Sequence, residues 1–278
     1  MVEALTIGSE EIASWPLNEL NLSRFMAPND ILWPLPPARC SLGASDVHVW
    51  AAHLDLNLEA LARLAAILSE EEQQRAARLR FERHHNRFIA ARGILRSLLA
   101  TYLDYAPDLL QFGYGPNGKP ALSGPFARSG LSFNLAHSEN LALIAVSHSG
   151  PLGVDVEYIR PLSDTDELVA RFFSSRENAL FRALPDGQKN AAFFNLWTRK
   201  EAWLKATGEG IAHSLNRVEV TFLPGEPAQL LALPEKPTLN RDWVLRELTP
   251  RTGFVGAVAF PNVRFSMFKF QFSNPESL

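Results

Sequence analysis

The sequence predicts an α+β protein made of two similar halves, and two observations carry that expectation. Each half runs in the same order, a strand, then helices closing on one long helix, then three or more strands. The two long helices end near Tyr102 and Gly208, separated by about the length of one half. No residue-for-residue repeat accompanies this order, so the duplication is read from the elements alone. The expected division is a proline-broken extension over 1–44, a first lobe over 45–150 and a second over 151–278.

Taken in order, residues 1–44 carry Pro28, Pro34, Pro36 and Pro37, and proline removes a backbone donor while fixing its own φ. Val47 to Leu56 suits a strand, and Leu58 to Leu68 has apolar residues at helical spacing. Ser69 and Glu72 form a capping-box signature for the next helix. From His84 to Leu103, the residues Phe88, Ala91, Leu95, Leu98 and Tyr102 recur every three or four positions and predict one buried stripe. Strands are expected over 109–114, 131–134 and 141–148. In the second half a strand is expected over 152–157, short helices across 164–184 and a long helix over 189–206. Strands near 217–222, 229–233, 243–248 and 254–260 complete it.

With 278 residues, 46% of them hydrophobic and 21% charged, the chain has an ordinary globular composition and enough length for a real core. A net charge of −3 gives no overall footprint for nucleic acid, so an anionic ligand needs a local basic pocket. The single cysteine, Cys40, cannot form an intramolecular disulfide or a multi-cysteine metal site, which fits a reducing compartment. The opening residues lack a basic leader with a long apolar core, and no apolar run reaches the roughly 18 residues of a membrane helix. A cytoplasmic protein is expected.

Asp155 and Glu157 stand two apart on an apolar strand, so their carboxylates share one face while Val154 and Val156 point the other way. Neighbouring carboxylates resist burial unless a cation or donors compensate them, and Mg²⁺ prefers such oxygen ligands. The same spacing also fits a strand end with solvated acids. Trp197, Glu201 and Lys205 are four apart in succession on one helix face. Glu201 with Lys205 reads as an ordinary helix pair, or, if Trp197 implies a covered face, as functional charge.

Arg75, Arg78, Arg80, Arg83, His84, His85, Arg87, Arg92 and Arg96 concentrate positive charge in a mildly acidic chain. Guanidinium forks suit phosphate oxygens, although a solvated basic face has the same composition. Gly113 to Pro120 is a turn by its glycines, proline and asparagine, with Lys119 at its tip. Asn134-Leu-Ala-His-Ser138 follows a short strand and places His137 where the chain turns.

Together these segments resemble the 4′-phosphopantetheinyl transferases of the Sfp type. The resemblance rests on five signatures in order: Gly115-Pro-Asn-Gly-Lys-Pro120, Phe133-Asn-Leu-Ala-His-Ser138, Gly153-Val-Asp-Val-Glu157, Phe172-Phe-Ser174 and Trp197-Thr-Arg-Lys-Glu-Ala-Trp-Leu-Lys205. It implies a fold of two pseudo-symmetric α+β lobes with the active site in the cleft between them. It implies Asp155, Glu157 and Glu201 as Mg²⁺ ligands and Lys205 as a catalytic-site lysine. Arg83, Lys119 and His137 match positions that contact coenzyme A phosphates, Arg75 sits at another basic position near the nucleotide, and Asn134 and Ala136 fall in the same binding segment. Ala136 stands where many members have serine, and Glu72 where some have a basic residue, so contacts to the 3′-phosphate are expected to be partly rearranged.

The chemistry so implied is attack by a serine of an apo acyl or peptidyl carrier protein on the β-phosphorus of coenzyme A, releasing adenosine 3′,5′-bisphosphate. Glu201, directly or through a metal-bound water, is the best-placed base for the serine proton, a role worth typically 10²–10⁴-fold. A monomer is expected, with no nucleic-acid or membrane partner. Two other readings stay open on these residues, a magnesium-dependent phosphodiesterase releasing free phosphopantetheine and a coenzyme A-binding regulator without turnover.

Overall fold

The computed structural model describes residues 41–148, 150–162, 164–209, 215–232, 242–262 and the backbone of 266–271. Almost all of the expected extension, Cys40 included, lies outside them. The first half comprises β1 (Asp46–His53), α1 (Leu58–Ala66), α2 (Glu70–Ala77), α3 (Glu82–Leu103), a hairpin of β2 (Phe112–Tyr114) and β3 (Pro120–Leu122), then β4 (Ser132–Ser138) and β5 (Leu141–Ser147). The second comprises β6 (Gly153–Tyr158), α4 (Thr165–Phe172), α5 (Ser175–Arg182), α6 (Asp186–Thr207), a short pair of β7 (Glu219–Val220) and β8 (Leu230–Ala232), then β9 (Trp243–Leu248) and β10 (Phe254–Pro261). A last strand, β11 (Ser266–Gln271), follows.

The α+β class and the repeated order both hold, and the strand order repeats as well. β5 lies between β1 and β4, and β10 lies between β6 and β9, with every one of these pairings antiparallel. In each half, then, the last of these strands sits between the first and the one before it. β11 breaks the symmetry by returning to the first half, where it pairs parallel with β1.

Period-two alternation sorts the strand residues between three apolar clusters. Trp50, Ala52, Ala142, Ile144 and Val146 face α1 and α3 in one cluster. Val255, Ala257 and Ala259 face the helices of the second half in another. Val47, Val49, Ala51, Leu141, Leu143 and Ala145 meet Val154, Val156, Val258 and Phe260 in a third, which joins the two sheets through their opposite faces.

Helix starts follow the sequence. Ser69 caps α2 and Ser174 caps α5, each in a full capping box closed by Glu72 and Glu177. The single stripe expected on α3 is corrected, because every residue from Ile89 to Ala100 is buried, Arg92 and Arg96 included. Both guanidinium groups reach back to Glu72, with Arg92 Nε donating to Oε1 at 2.7 Å and Arg96 Nε to Oε2 at 2.6 Å. Burial on all sides is tolerable because each charge has a partner.

Candidate active site

The site is built on α6 where it crosses β6. A Cβ at Gly153 would overlap the Ala202 carbonyl and the Ala206 backbone nitrogen, so glycine is what lets the helix lie directly on the strand. Two consecutive buried cations then fix the rotation of α6. Arg199 donates to the Thr221 carbonyl at 2.6 Å, the Glu226 carbonyl at 2.9 Å and Glu247 Oε2 at 2.6 Å. Lys200 donates to Glu177 Oε2 at 2.5 Å and to the Leu215 and Val218 carbonyls at 2.6 Å each. With those directions taken, the next residue, Glu201, is buried toward the acidic strand.

Here Asp155, Glu157, Glu201 and Lys205 come together. Lys205 Nζ donates to Asp155 Oδ1 at 2.6 Å, and Ser138 Oγ donates to Glu157 Oε2 at 2.7 Å. Asp155 Oδ2 and Glu201 Oε1 are buried with no hydrogen-bond partner. Burial and the neighbouring Asp155 raise the Glu201 carboxyl to about 7, against the pull of Lys205. Burial likewise pushes Asp155 and Glu157 up from the usual carboxylate range. For Lys205, burial is the largest influence and lowers its pKa, yet the combined attraction of Asp155, Glu201 and Glu157 outweighs it and the ammonium is stabilised. Among the described residues no three acids, histidines or cysteines already close as a metal cage. What the cluster offers a divalent cation is two buried carboxylate oxygens lacking any donor, the hard ligands Mg²⁺ takes.

Several sequence candidates are engaged in joining the halves. Lys119, at the tip of the β2–β3 hairpin, donates to the Leu152, Lys205 and Ala206 carbonyls at 2.9, 2.6 and 3.4 Å, and Asn117 Nδ2 donates to the Gly208 carbonyl at 2.7 Å. The hairpin thus caps the carbonyl end of α6, where a cation is favoured. Burial brings the Lys119 ammonium down to about 8. Asn134, itself buried, accepts from the Val154 backbone through Oδ1 at 2.8 Å, and Ala136 lies in the cluster between the sheets.

His137 has an exposed face but is hemmed by protein behind, and burial, Lys205, Arg87 and His84 all hold its imidazole below the ordinary histidine range. It therefore borders the acidic cluster. Arg75 is exposed and lies over the Phe88 ring at 5.7 Å. Arg83 is exposed near Asp55. Arg87 is tied to Asp55 at 2.6 Å and Glu139 at 3.0 Å, and with Arg92 and Arg96 on Glu72 it is committed to the scaffold. Glu72, the departure noted in the sequence, is thus a buried acceptor. Trp197 stacks on Phe193 and meets Phe173 edge-on, within the core of the second half. Ser138, Gly153 and Lys200 were not singled out from the sequence. The only signal for Lys200's partner was the Ser174-x-x-Glu177 spacing, which announces a cap and says nothing of a buried ion pair.

A strand pair of carboxylates faced by a helix glutamate and lysine, in a twice-repeated α+β frame, matches a known enzyme family. The family model for the 4′-phosphopantetheinyl transferase superfamily matches residues 151–259, and that for the N-terminal part of a 4′-phosphopantetheinyl transferase matches residues 56–149. The chain belongs to this superfamily of transferases, which move the phosphopantetheine of coenzyme A to a serine of a carrier protein, generally with Mg²⁺. It is 48% identical over 227 residues to the 4′-phosphopantetheinyl transferase HetI of Nostoc sp. (strain PCC 7120), covering 82% of this chain and 92% of that one. It is 31% identical over 199 residues to a phosphopantetheinyl transferase of Thraustochytrium sp., covering 67% of each chain, and 28% identical over 158 residues to a 4′-phosphopantetheinyl transferase of Bacillus subtilis, covering 57% and 68%.

Proposed function

We propose that this chain carries out the family transfer at the acidic cluster, with Asp155, Glu157 and Glu201 as the ligands of Mg²⁺ and coenzyme A as co-substrate. The observation that carries the reading is the pair of buried, partnerless oxygens, Asp155 Oδ2 and Glu201 Oε1, beside the Lys205 ammonium. Unpaired acceptors out of water are costly, and a bound cation removes that cost. When bound, Mg²⁺ compensates the charge of the pyrophosphate.

The remaining work falls to the chain's own groups. We assign Glu201 as the acceptor for the proton of the incoming carrier serine. Lys205 sets a fixed positive charge beside the oxygens that gain charge as adenosine 3′,5′-bisphosphate departs. Ser138 orients Glu157 through its hydrogen bond. Arg75, Arg83 and His137 are exposed, and we assign them to the nucleotide phosphates. We assign Lys119, Asn134 and Ala136, which pack where the halves meet, to the coenzyme A side of the site.

Because one chain supplies every group invoked, we assign the activity to a monomer. Among the described residues no helix is long and apolar enough to cross a membrane, and a cytoplasmic setting agrees with the single cysteine. The test is incubation with coenzyme A, Mg²⁺ and an apo acyl or peptidyl carrier protein, followed by intact-protein mass. Gain of one phosphopantetheine on the carrier supports the reading. Free phosphopantetheine with an unmodified carrier would overturn it.

A further inference from the structure

We propose that the bend joining α2 to α3 is the docking surface for an acidic carrier protein, an inference that rests on the transferase reading above. Residues 77–84 are exposed without a break. Within them Phe81 is 70% exposed and Leu79 36%, which leaves apolar surface in water where covering it is favourable. Arg78 and Arg80 flank Leu79 and Phe81 in the chain, and Glu82 is the one acid among residues 77–84. Arg87, Arg92 and Arg96 are held by Asp55, Glu139 and Glu72. Arg78 and Arg80, by contrast, make no side-chain hydrogen bond or ion pair among the described residues.

The bend also lies beside the chemistry. The Phe81 ring is 5.7 Å from that of His84, and the charges of His84 and Lys205 are both felt at His137. A partner seated on Phe81 therefore places its surface next to the acidic cluster. The arrangement selects the kind of partner. An exposed aromatic side chain beside exposed arginines is the make-up of an anchor with a charged rim in protein contacts. A second copy of this chain is disfavoured, because a symmetric contact through this bend would set arginines against arginines. The occupant that fits is a carrier protein presenting carboxylates around an apolar side chain near its acceptor serine.

The experiment measures KM for the carrier and for coenzyme A separately, by intact-protein mass. Phe81→Ser is expected to raise the carrier KM by ~10-fold, and the pair Arg78→Glu with Arg80→Glu by ~10–100-fold with a weakened salt dependence. KM for coenzyme A and kcat at saturating carrier should stay unchanged. Leu58→Ser, at a position 78% exposed on α1, is the control and should alter neither constant. An unchanged carrier KM in both bend variants overturns the proposal. So does a rise in the coenzyme A constant, which would give the bend to the nucleotide, or a wild-type dimer that the variants abolish. If the wild-type chain modifies no carrier at all, it is the transferase reading that fails.

Discussion

The two halves use one frame for opposite purposes. Ser69 and Glu72 recur 105 positions later as Ser174 and Glu177, and both glutamates close a capping box while accepting a buried cation from the long helix that follows. Each long helix has 22 residues, and the cation stands at the same place in both, Arg96 in α3 and Lys200 in α6. The same shift carries Val49 and Ala51 to Val154 and Val156, all four in the cluster between the sheets. It also carries Trp50 and Ala52 to Asp155 and Glu157, while Ser97 and Thr101 on α3 correspond to Glu201 and Lys205 on α6. Where the first half fills the space between strand and helix with a core, the second leaves charge. The difference teaches that the packing of this fold tolerates either content, and that the acidic cluster with its lysine is confined to four positions of one copy.

Removing that content should give the largest effect. Asp155→Ala and Glu201→Ala are expected to stay folded by circular dichroism and lose transfer by ~10²–10⁴-fold, read as the rate of carrier mass gain. Glu201→Gln should stay impaired at saturating Mg²⁺, whereas a variant that loses only metal affinity recovers as Mg²⁺ is raised. Near-native turnover in a folded Glu201→Ala protein would place the chemistry elsewhere and dissolve the contrast between the halves.

The clasps should come next. Lys200→Met strands Glu177 at 1% exposure with its charge uncompensated, at a cost of about 3–5 kcal/mol in denaturant unfolding. Arg96→Met should cost less, about 1–3 kcal/mol, because Arg92 still holds Glu72. Equal losses would mean that Arg92 does not support Glu72 once Arg96 is gone.

A smaller effect is expected with pH in metal-free buffer. The Glu201 carboxyl sits at about 7 in the folded chain against 4.5 when free, so the folded state keeps a proton that the unfolded chain releases. Stability should therefore fall as pH rises from about 4.5 to 7, and the raised Asp155 and Glu157 act in the same direction. Glu201→Gln should flatten the slope of Tm against pH across that window. A slope unaffected by the substitution would refute the burial of this carboxyl. The smallest change is Ser138→Ala, which removes the 2.7 Å bond to Glu157 and should cost about 1 kcal/mol, with a modest rise in the Mg²⁺ needed for half-maximal rate.

Local patterns were readable in the sequence and distant partnerships were not. The helix spacing, the Ser69–Glu72 capping box and the same-face geometry of Asp155 and Glu157 each depend on residues within a turn or a strand pair. Glu72 shows the limit, since its cap lies three residues away but the cations it accepts lie 20 and 24 residues away. Lys119 shows it more sharply. A lysine in a glycine-rich turn has the composition of a phosphate loop, yet its acceptors stand 33, 86 and 87 residues along the chain and make it a cap for α6. The strand at 266–271 was missed because its partner is the first strand of the fold, and nothing nearby in the sequence reports that pairing.

That last pairing bears on how the protein is made. β1 gains an antiparallel neighbour once β5 has left the ribosome, but the edge taken by β11 stays open until residues 266–271 have been synthesised. An open strand edge invites pairing with other nascent chains. The first sheet therefore closes only after every residue of the acidic cluster has been made, and a chain shortened before residue 266 should be prone to aggregate even with that cluster in place.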